Sequence, residues 1–306
     1  MANGKHPVQR LMVNAKKYMF LYVLMAPALL ATLVFQYIPM PGIIIAFMDY
    51  DFFKGWHSPW VGLKHIREIF EVPSITDSIW NTLKLSLTSL VIVFPAPIAL
   101  ALLLNEARLA IFRRLVQTLS FLPHFLSWIS VIGIATTFYS LYGPLNDLVA
   151  YFAGEEARQL FLTKQSFFIP NVIGITVWKE TGWSCIIFLA AIAAIDLQQY
   201  EAARIDGASR FQQMRYITLP GIMPTIMILL ILRLGNIFAS NFELIYGLQN
   251  PFINFDVIST VIFKSGIQQQ NYSMATAVGF VEGLIALLLT LAANRLSKKV
   301  SGVGVW

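Results

Sequence analysis

Ionisable side chains inside long apolar runs stand out first in this sequence. A charge at the centre of a membrane-buried helix costs about 2.5 to 3.5 kcal/mol on insertion scales, so such groups face a cavity or pair with one another. Lys179, Glu180, Arg233, Glu243 and Glu282 all occupy such runs. Arg233, Asn236, Ser240, Glu243 and Gly247 recur at i, i+3, i+7, i+10 and i+14, which is one face of a continuous helix. That stripe should turn away from lipid, either to line a pathway or to pack against neighbouring helices or a sister subunit. On a continuous helix Arg233 and Glu243 would stand about 15 Å apart, too far to bridge directly. Lys179 and Glu180 are adjacent and cannot face each other on a helix, so they fit a break, an interfacial position or the pathway. Trp128, Trp178 and Trp183 offer flat apolar faces for stacking, for core packing or for an interfacial aromatic belt.

Other chemistry is excluded. No GxxxxGK[ST] stretch exists, so the chain has no P-loop to cradle nucleotide phosphates. His6, His57, His65 and His124 show no metal-ligand spacing. The single cysteine, Cys185, cannot form an intrachain disulfide. A polytopic membrane enzyme such as a glycosyltransferase would need carboxylates or metal ligands gathered at one membrane face, and the sequence groups none there.

The elements that position these residues follow from composition. The 306 residues are 57% hydrophobic and 12% charged, with mean hydropathy +0.66, whereas an ordinary soluble domain is about a quarter charged. The apolar runs are too long for the roughly 10-residue alternating strands of a barrel, so helices must span the bilayer. Six spans are predicted, at about 18–47, 78–104, 114–141, 167–195, 219–248 and 273–294, with a short segment 1–17 before them and a tail 296–306 after. The run from Tyr18 to Phe47 is too long for a signal-peptide core and reads as a retained span. Asp49 to Asp77, with Trp56, Pro59 and Trp60, reads as an outer loop with interfacial aromatics.

Thirteen lysines and arginines fall on one side of this arrangement, six on the other and three within spans, so the richer side, holding both termini, is assigned to the cytoplasm. The net charge of +6 serves that topology rather than nucleic-acid binding.

The segment DLQQYEAARIDGASRFQQMRYITLP, residues 196–220, joins the fourth and fifth spans on the basic side. Asp196 should cap a short helix, with Gln199 three residues later completing a capping box worth about 1 kcal/mol. Ala202 and Ala203 favour that helix and leave a small-residue surface, Glu201 adds a charge, and Gly207 allows a turn at positive φ. Pro220 is placed to start the next helix. By itself this is either a rigid docking element or an ordinary amphipathic loop.

The spacing E-A-A, three residues, G, nine residues, I, one residue, L-P is met by Glu201, Ala202, Ala203, Gly207, Ile217, Leu219 and Pro220. It resembles, without departure, the EAA signature of permease subunits of ABC importers. The likeness continues through FPAPIALALLLNE (94–106), QTLSFLPHFLSW (117–128), WKETGW (178–183) and the terminal GVGVW, and is closest to the maltose and multiple-sugar branch, notably six-span relatives that serve polysaccharide fragments. Pro41 departs from the aromatic expected in IPMPG.

The resemblance implies an all-α polytopic fold with six transmembrane helices of the type I importer kind, in a bacterial inner membrane. It implies that Glu201, Ala202, Ala203, Asp206, Gly207, Ile217, Leu219 and Pro220 couple to an ATP-binding subunit, which alone would hold ATP and magnesium. It further implies a second homologous permease, two ATP-binding subunits, an extracytoplasmic solute-binding protein and a sugar cargo. Arg233, Asn236, Ser240, Glu243, Trp128 and Lys179 are then the candidate pathway residues, where hydroxyl-rich cargo would meet hydrogen bonds of about 0.5 to 1.5 kcal/mol each. An ion-coupled secondary transporter, using Glu243 or Glu282, is the alternative and would not need the EAA loop.

Overall fold

The computed structural model describes residues 18–301; the segment 1–17 with its four basic residues and the terminal GVGVW lie outside them. The described chain is helical, with one isolated antiparallel bridge between Met48 and Trp60. Five helical stretches are long and apolar enough to cross a membrane: Met19–Phe47, Pro73–Glu106, Gln165–Ala193, Arg210–Gly235 and Tyr272–Arg295. A sixth crossing is the pair Ala110–Phe125 and Trp128–Phe138, bent by 110°.

The first stretch runs through α1 (Met19–Thr32), a looser π turn and a 3₁₀ segment Met40–Phe47 that contains Pro41. No residue from Tyr18 to Ile45 is buried, and only Ala46 reaches the core. The loop between the first two spans is more ordered than its composition suggests: α2 (Lys64–Glu71) buries His65 and Ile69 and packs on the first and last spans. Trp56 and Trp60 remain exposed, as interfacial aromatics would.

The second span is α3 (Pro73–Ile92) followed by α4 (Pro95–Glu106). A proline at helical N1 has no amide hydrogen to lose, so each helix starts where its proline stands.

The third span is not one helix. α5 (Ala110–Phe121) ends in a 3₁₀ turn, Leu122–Phe125, around buried Pro123. Leu126 is extended, and Ser127 then caps α6 (Trp128–Phe138) by accepting the Ser130 amide at 3.2 Å. After α7 (Pro144–Ala153), α8 (Phe168–Ala193) runs 26 residues, about 39 Å, and serves as the ruler of the molecule.

α9 (Leu197–Ile205) and α10 (Arg210–Gln213) form the EAA segment. The predicted continuous fifth span, 219–248, is corrected: α11 (Leu219–Gly235) stops at Asn236, whose amide Nδ2 turns back to the Leu232 carbonyl at 3.0 Å. A new helix, α12 (Phe242–Leu248), starts where Asn241 accepts the Leu244 amide at 3.0 Å. α13 (Ile258–Phe263) leads to α14 (Tyr272–Ser301), which extends into the tail expected to begin at 296.

Three apolar clusters hold these helices together. One joins α3, α6, α8 and α12 through Leu85, Val131, Phe168, Leu244 and Ile245; a second joins the first span, α2, α13 and α14 through Ala46, Ile69, Val261 and Ala277. The third joins α4, α8 and α11 and contains Cys185, packed as a small apolar side chain beside Phe188 and Ile222.

Candidate translocation cavity and coupling loop

A cavity of about 850 Å³ opens between α4, α6, α8, α11 and α12, walled among others by Trp128, Glu180, Arg233, Asn236, Ser240 and Glu243. Its depth can be read along α8. Glu180 precedes the end of that helix, Ala193, by 13 residues, about 20 Å, which places the wall inside the roughly 30 Å hydrocarbon thickness.

The break at 236–241 overturns the single-helix geometry from which the polar stripe was predicted, including its 15 Å separation of Arg233 from Glu243. Even so, Arg233, Asn236, Ser240 and Glu243 share one wall, because the non-helical segment lies along it. Gly247 leaves the stripe: a Cβ there would run into Ile132. Arg233 donates from Nη2 to Ser89 Oγ at 2.8 Å, and among the described residues it forms no ion pair. Ser240 Oγ shares a hydrogen bond of 3.0 Å with Ser259 Oγ.

Lys179 is corrected. Its side chain is 4% exposed, it does not line the cavity, and its Nζ donates to the main-chain carbonyl of His124 at 2.7 Å while lying 4.8 Å from the centre of the Trp128 ring. Glu180, the next residue, does reach the wall; its carboxylate is 3.1 Å from His124 Nδ1 and 3.8 Å from Lys179 Nζ. Adjacent residues meet after all because both engage the broken third span rather than solvent. Trp183 stacks on the His124 ring at 4.4 Å and 5°, and Trp178 lines a separate apolar pocket, so Trp128 alone of the three tryptophans faces the cavity. Beside these contacts Gly182 lets α8 touch the end of α5, since any Cβ there would strike the Ser120 carbonyl.

The wall also holds Thr176, Ser184 and Asn241, which sequence reasoning missed. Small polar residues on a helix send no signal until a partner helix is known. His124 shows no metal-ligand spacing in sequence, and its link to Glu180 spans 56 positions. Glu282 is half-buried on α14 and does not line the cavity.

In the EAA segment Asp196 caps α9, but its carboxylate accepts the Gln198 amide at 2.9 Å, and the expected box with Gln199 is absent from the contacts of that cap. A box forms instead at the start of α10, where Ser209 and Gln212 exchange bonds. Gly207 has φ +79° with open space around it, so it is required by backbone conformation and not by crowding. Glu201, Ala202, Asp206 and Gly207 are exposed, Ala203 half-buried, and Leu197 and Ile205 are bare to solvent at 73% and 87%. Ile217 and Leu219 are half-buried at the foot of α11, with Pro220 in its first turn. Two bonds tie the loop to the spans: Tyr200 hydroxyl with Thr218 Oγ1 at 2.9 Å, and Arg210 Nη1 to the Glu106 carbonyl at 3.1 Å.

A helical, multi-pass chain built around a polar cavity within the membrane is a transport subunit rather than an enzyme. Residues 92–301 match the family described as "binding-protein-dependent transport system inner membrane component", and the chain belongs to that family of ABC-importer permeases. It is 42% identical over 306 residues to the polygalacturonan/rhamnogalacturonan transport system permease protein YteP of Bacillus subtilis (strain 168), covering 99% of this chain and 95% of the relative. Two crystal structures share its fold at 39% identity. One is a bacterial ABC transporter involved in the import of the acidic polysaccharide alginate, with TM-score 0.88 over 95% of this chain and 99% of that one. The other is a bacterial alginate ABC transporter in complex with alginate pentasaccharide-bound periplasmic protein, with TM-score 0.89 over 97% and 100%.

Proposed function

We propose that this permease forms half of the pathway by which oligosaccharide fragments of an acidic polysaccharide are imported. The observation that carries the reading is the cavity wall itself, where aromatic rings, Trp128 among them, neutral amides and hydroxyls stand beside Arg233. Carbohydrate offers both apolar ring faces and hydroxyls, and an arginine fork suits a uronate carboxylate. Glu180 lies 3.8 Å from Lys179 Nζ, and Arg233 is the one cation among the described residues lining the cavity, beside Glu180 and Glu243, to answer a carboxylate on the cargo. The cargoes printed for YteP and for the alginate importers support the same class.

The remaining partners are a second permease, two ATP-binding subunits that hold ATP and magnesium, and a solute-binding protein. The bare first span, with nothing buried from 18 to 45, supports a second membrane subunit packed against it. The exposed Leu197 and Ile205 on α9 support docking of that loop into an ATP-binding subunit. Closure of the ATP-binding pair would then pull on α9, and the Tyr200–Thr218 and Arg210–Glu106 ties would pass the motion to α11 and α4.

In the proposed inner-membrane topology both termini and the EAA loop are cytoplasmic. Cysteines placed at the exposed positions Lys54 and Glu156 in a Cys185→Ala background should react with an impermeant thiol reagent added outside, and one at Ser209 should not; the reverse pattern would overturn this orientation. Cargo is tested by uptake in vesicles containing the whole complex. A uronate oligosaccharide should be taken up with ATP and not with a proton gradient alone, whereas preference for a neutral oligosaccharide of equal length would sink the acidic assignment.

A further inference from the structure

α7 carries an apolar tip that no described part of the chain covers. Leu148, Tyr151 and Phe152 are 54%, 83% and 81% exposed and lie on one side of this helix, about opposite the fully buried Asn146. Tyr142, just before the helix, is 79% exposed. The lobe behind the tip is rigid. Asn146 donates to the Ser140 and Gln159 carbonyls, each at 2.9 Å, and accepts the Gln159 amide at 2.8 Å. Arg158 bonds Glu155, Asp147 and the Leu141 carbonyl, which holds its own pKa up and that of Glu155 below the usual carboxylate range. Four large apolar groups are therefore held outward on a fixed frame.

The level of this lobe is set by contacts to α8. The Tyr139 hydroxyl lies against Gly174, and the Asn171 amide Nδ2 donates to the Phe161 carbonyl at 2.7 Å. Those two residues of α8 precede Ala193 by 19 and 22 positions, about 28 and 33 Å along the helix, or about 27 and 31 Å at an ordinary 20° tilt. The hydrocarbon is about 30 Å thick, so α7 stands where acyl chains give way to headgroups, the layer in which tyrosine and other amphipathic aromatics settle. An exposed apolar strip, Ile134, Phe138 and Tyr142, climbs the end of α6 and runs into the tip, so the lobe continues a surface that already faces the membrane.

We propose that α7 is an interfacial helix whose Leu148, Tyr151 and Phe152 insert into the headgroup boundary of the outer leaflet and hold the outer end of the broken third span at fixed depth. The proposal rests on the topology given above. The lobe sets Asp147, Glu155 and Glu156 against Arg158 and Lys164, with no cationic excess to attract anionic lipid, so its occupant is zwitterionic or neutral lipid and insertion is driven by apolar burial.

The test uses the assembled complex in phosphatidylcholine vesicles, with other accessible cysteines removed and Cys185→Ala in this chain. Tyr151→Cys and Phe152→Cys are labelled separately with an environment-sensitive fluorophore, so failure of one to assemble leaves the other to be read. A nitroxide carried near the lipid headgroup should quench each label at least twofold more than one near the acyl end, and aqueous iodide should quench them several-fold less than a label at Glu156→Cys. Iodide quenching equal to that at 156, with no nitroxide effect, would place the tip in water and overturn the proposal. Shielding only on addition of loaded solute-binding protein would overturn it in favour of protein docking. Failure of the topology is read independently, as loss of labelling of Glu156→Cys by an impermeant reagent from outside.

Discussion

The ammonium of Lys179 on α8 lies 2.7 Å from the main-chain oxygen of His124, at the point where the third span breaks. A helix that ends inside the bilayer leaves carbonyls without amide partners, and no water is at hand to satisfy them. Lys179 supplies the missing donor and rests under Trp128, the first residue of the next helix, so one side chain holds both halves of a 110° bend. Glu180 and Trp183 grip His124 from the next positions of the same helix.

Lys179→Met should therefore destabilise the complex although its apolar stem fits the site. Stranding a buried carbonyl costs about 1 to 3 kcal/mol, and the Trp128 contact is lost with it. Thermal unfolding of the purified complex in detergent measures the loss, and wild-type stability would show that the bend holds without this lysine.

Gly207→Val places a β-branched residue at φ +79° and should cost about 1 to 3 kcal/mol locally, reshaping the turn after α9. Substrate-stimulated ATP hydrolysis should fall several-fold while the spans still assemble. Unchanged stimulation in this variant and in Glu201→Lys would count against docking through the EAA loop.

Asn236→Leu removes an exposed amide from the cavity wall without touching any buried cluster. Loss of one hydrogen bond of about 0.5 to 1.5 kcal/mol should lower uptake roughly 2- to 10-fold with assembly and basal ATPase intact. Failed assembly would instead assign Asn236 a structural role, through its bond to the Leu232 carbonyl or through packing against the second permease.

Asp256 closes the loop between α12 and α13. Burial raises its pKa, but hydrogen bonds from Lys264, Thr260 and Gln249, at 2.7, 2.8 and 3.0 Å, outweigh it and hold the carboxyl below its ordinary 3.8. A group depressed on folding stabilises the native state fully above its unfolded value and ceases to do so as pH falls through the folded value. Asp256→Asn should lower the unfolding temperature at pH 7 and lose less stability than the wild type between about pH 5 and pH 3. Parallel acid profiles for the two proteins would remove Asp256 from this role.

Much of this was legible in the sequence. Twenty apolar residues in a row have one stable home, and four helical stretches, 19–47, 73–106, 165–193 and 272–295, lie on the apolar runs of the sequence. The EAA spacing gave the family, and the turn at Gly207 follows from residue type alone. Arg233, Asn236, Ser240 and Glu243 were identified as one group from their spacing, and they do share a wall.

The reason they share it lay beyond the sequence. A periodic polar stripe implies a continuous helix, but the helix stops at Asn236 because its own amide closes the last turn and Asn241 opens the next. The third span breaks in the same way around Pro123 and Ser127, and that break is tolerated because Lys179, 55 positions away, satisfies the exposed carbonyl. Residue types and local spacing determined the apolar runs, the turn at Gly207 and the grouping of Arg233, Asn236, Ser240 and Glu243. Which intramembrane charge faces the cavity and which one bolts the scaffold was decided by tertiary packing, since adjacent residues such as Lys179 and Glu180 look alike in sequence until a second helix supplies a carbonyl for one and a cavity for the other.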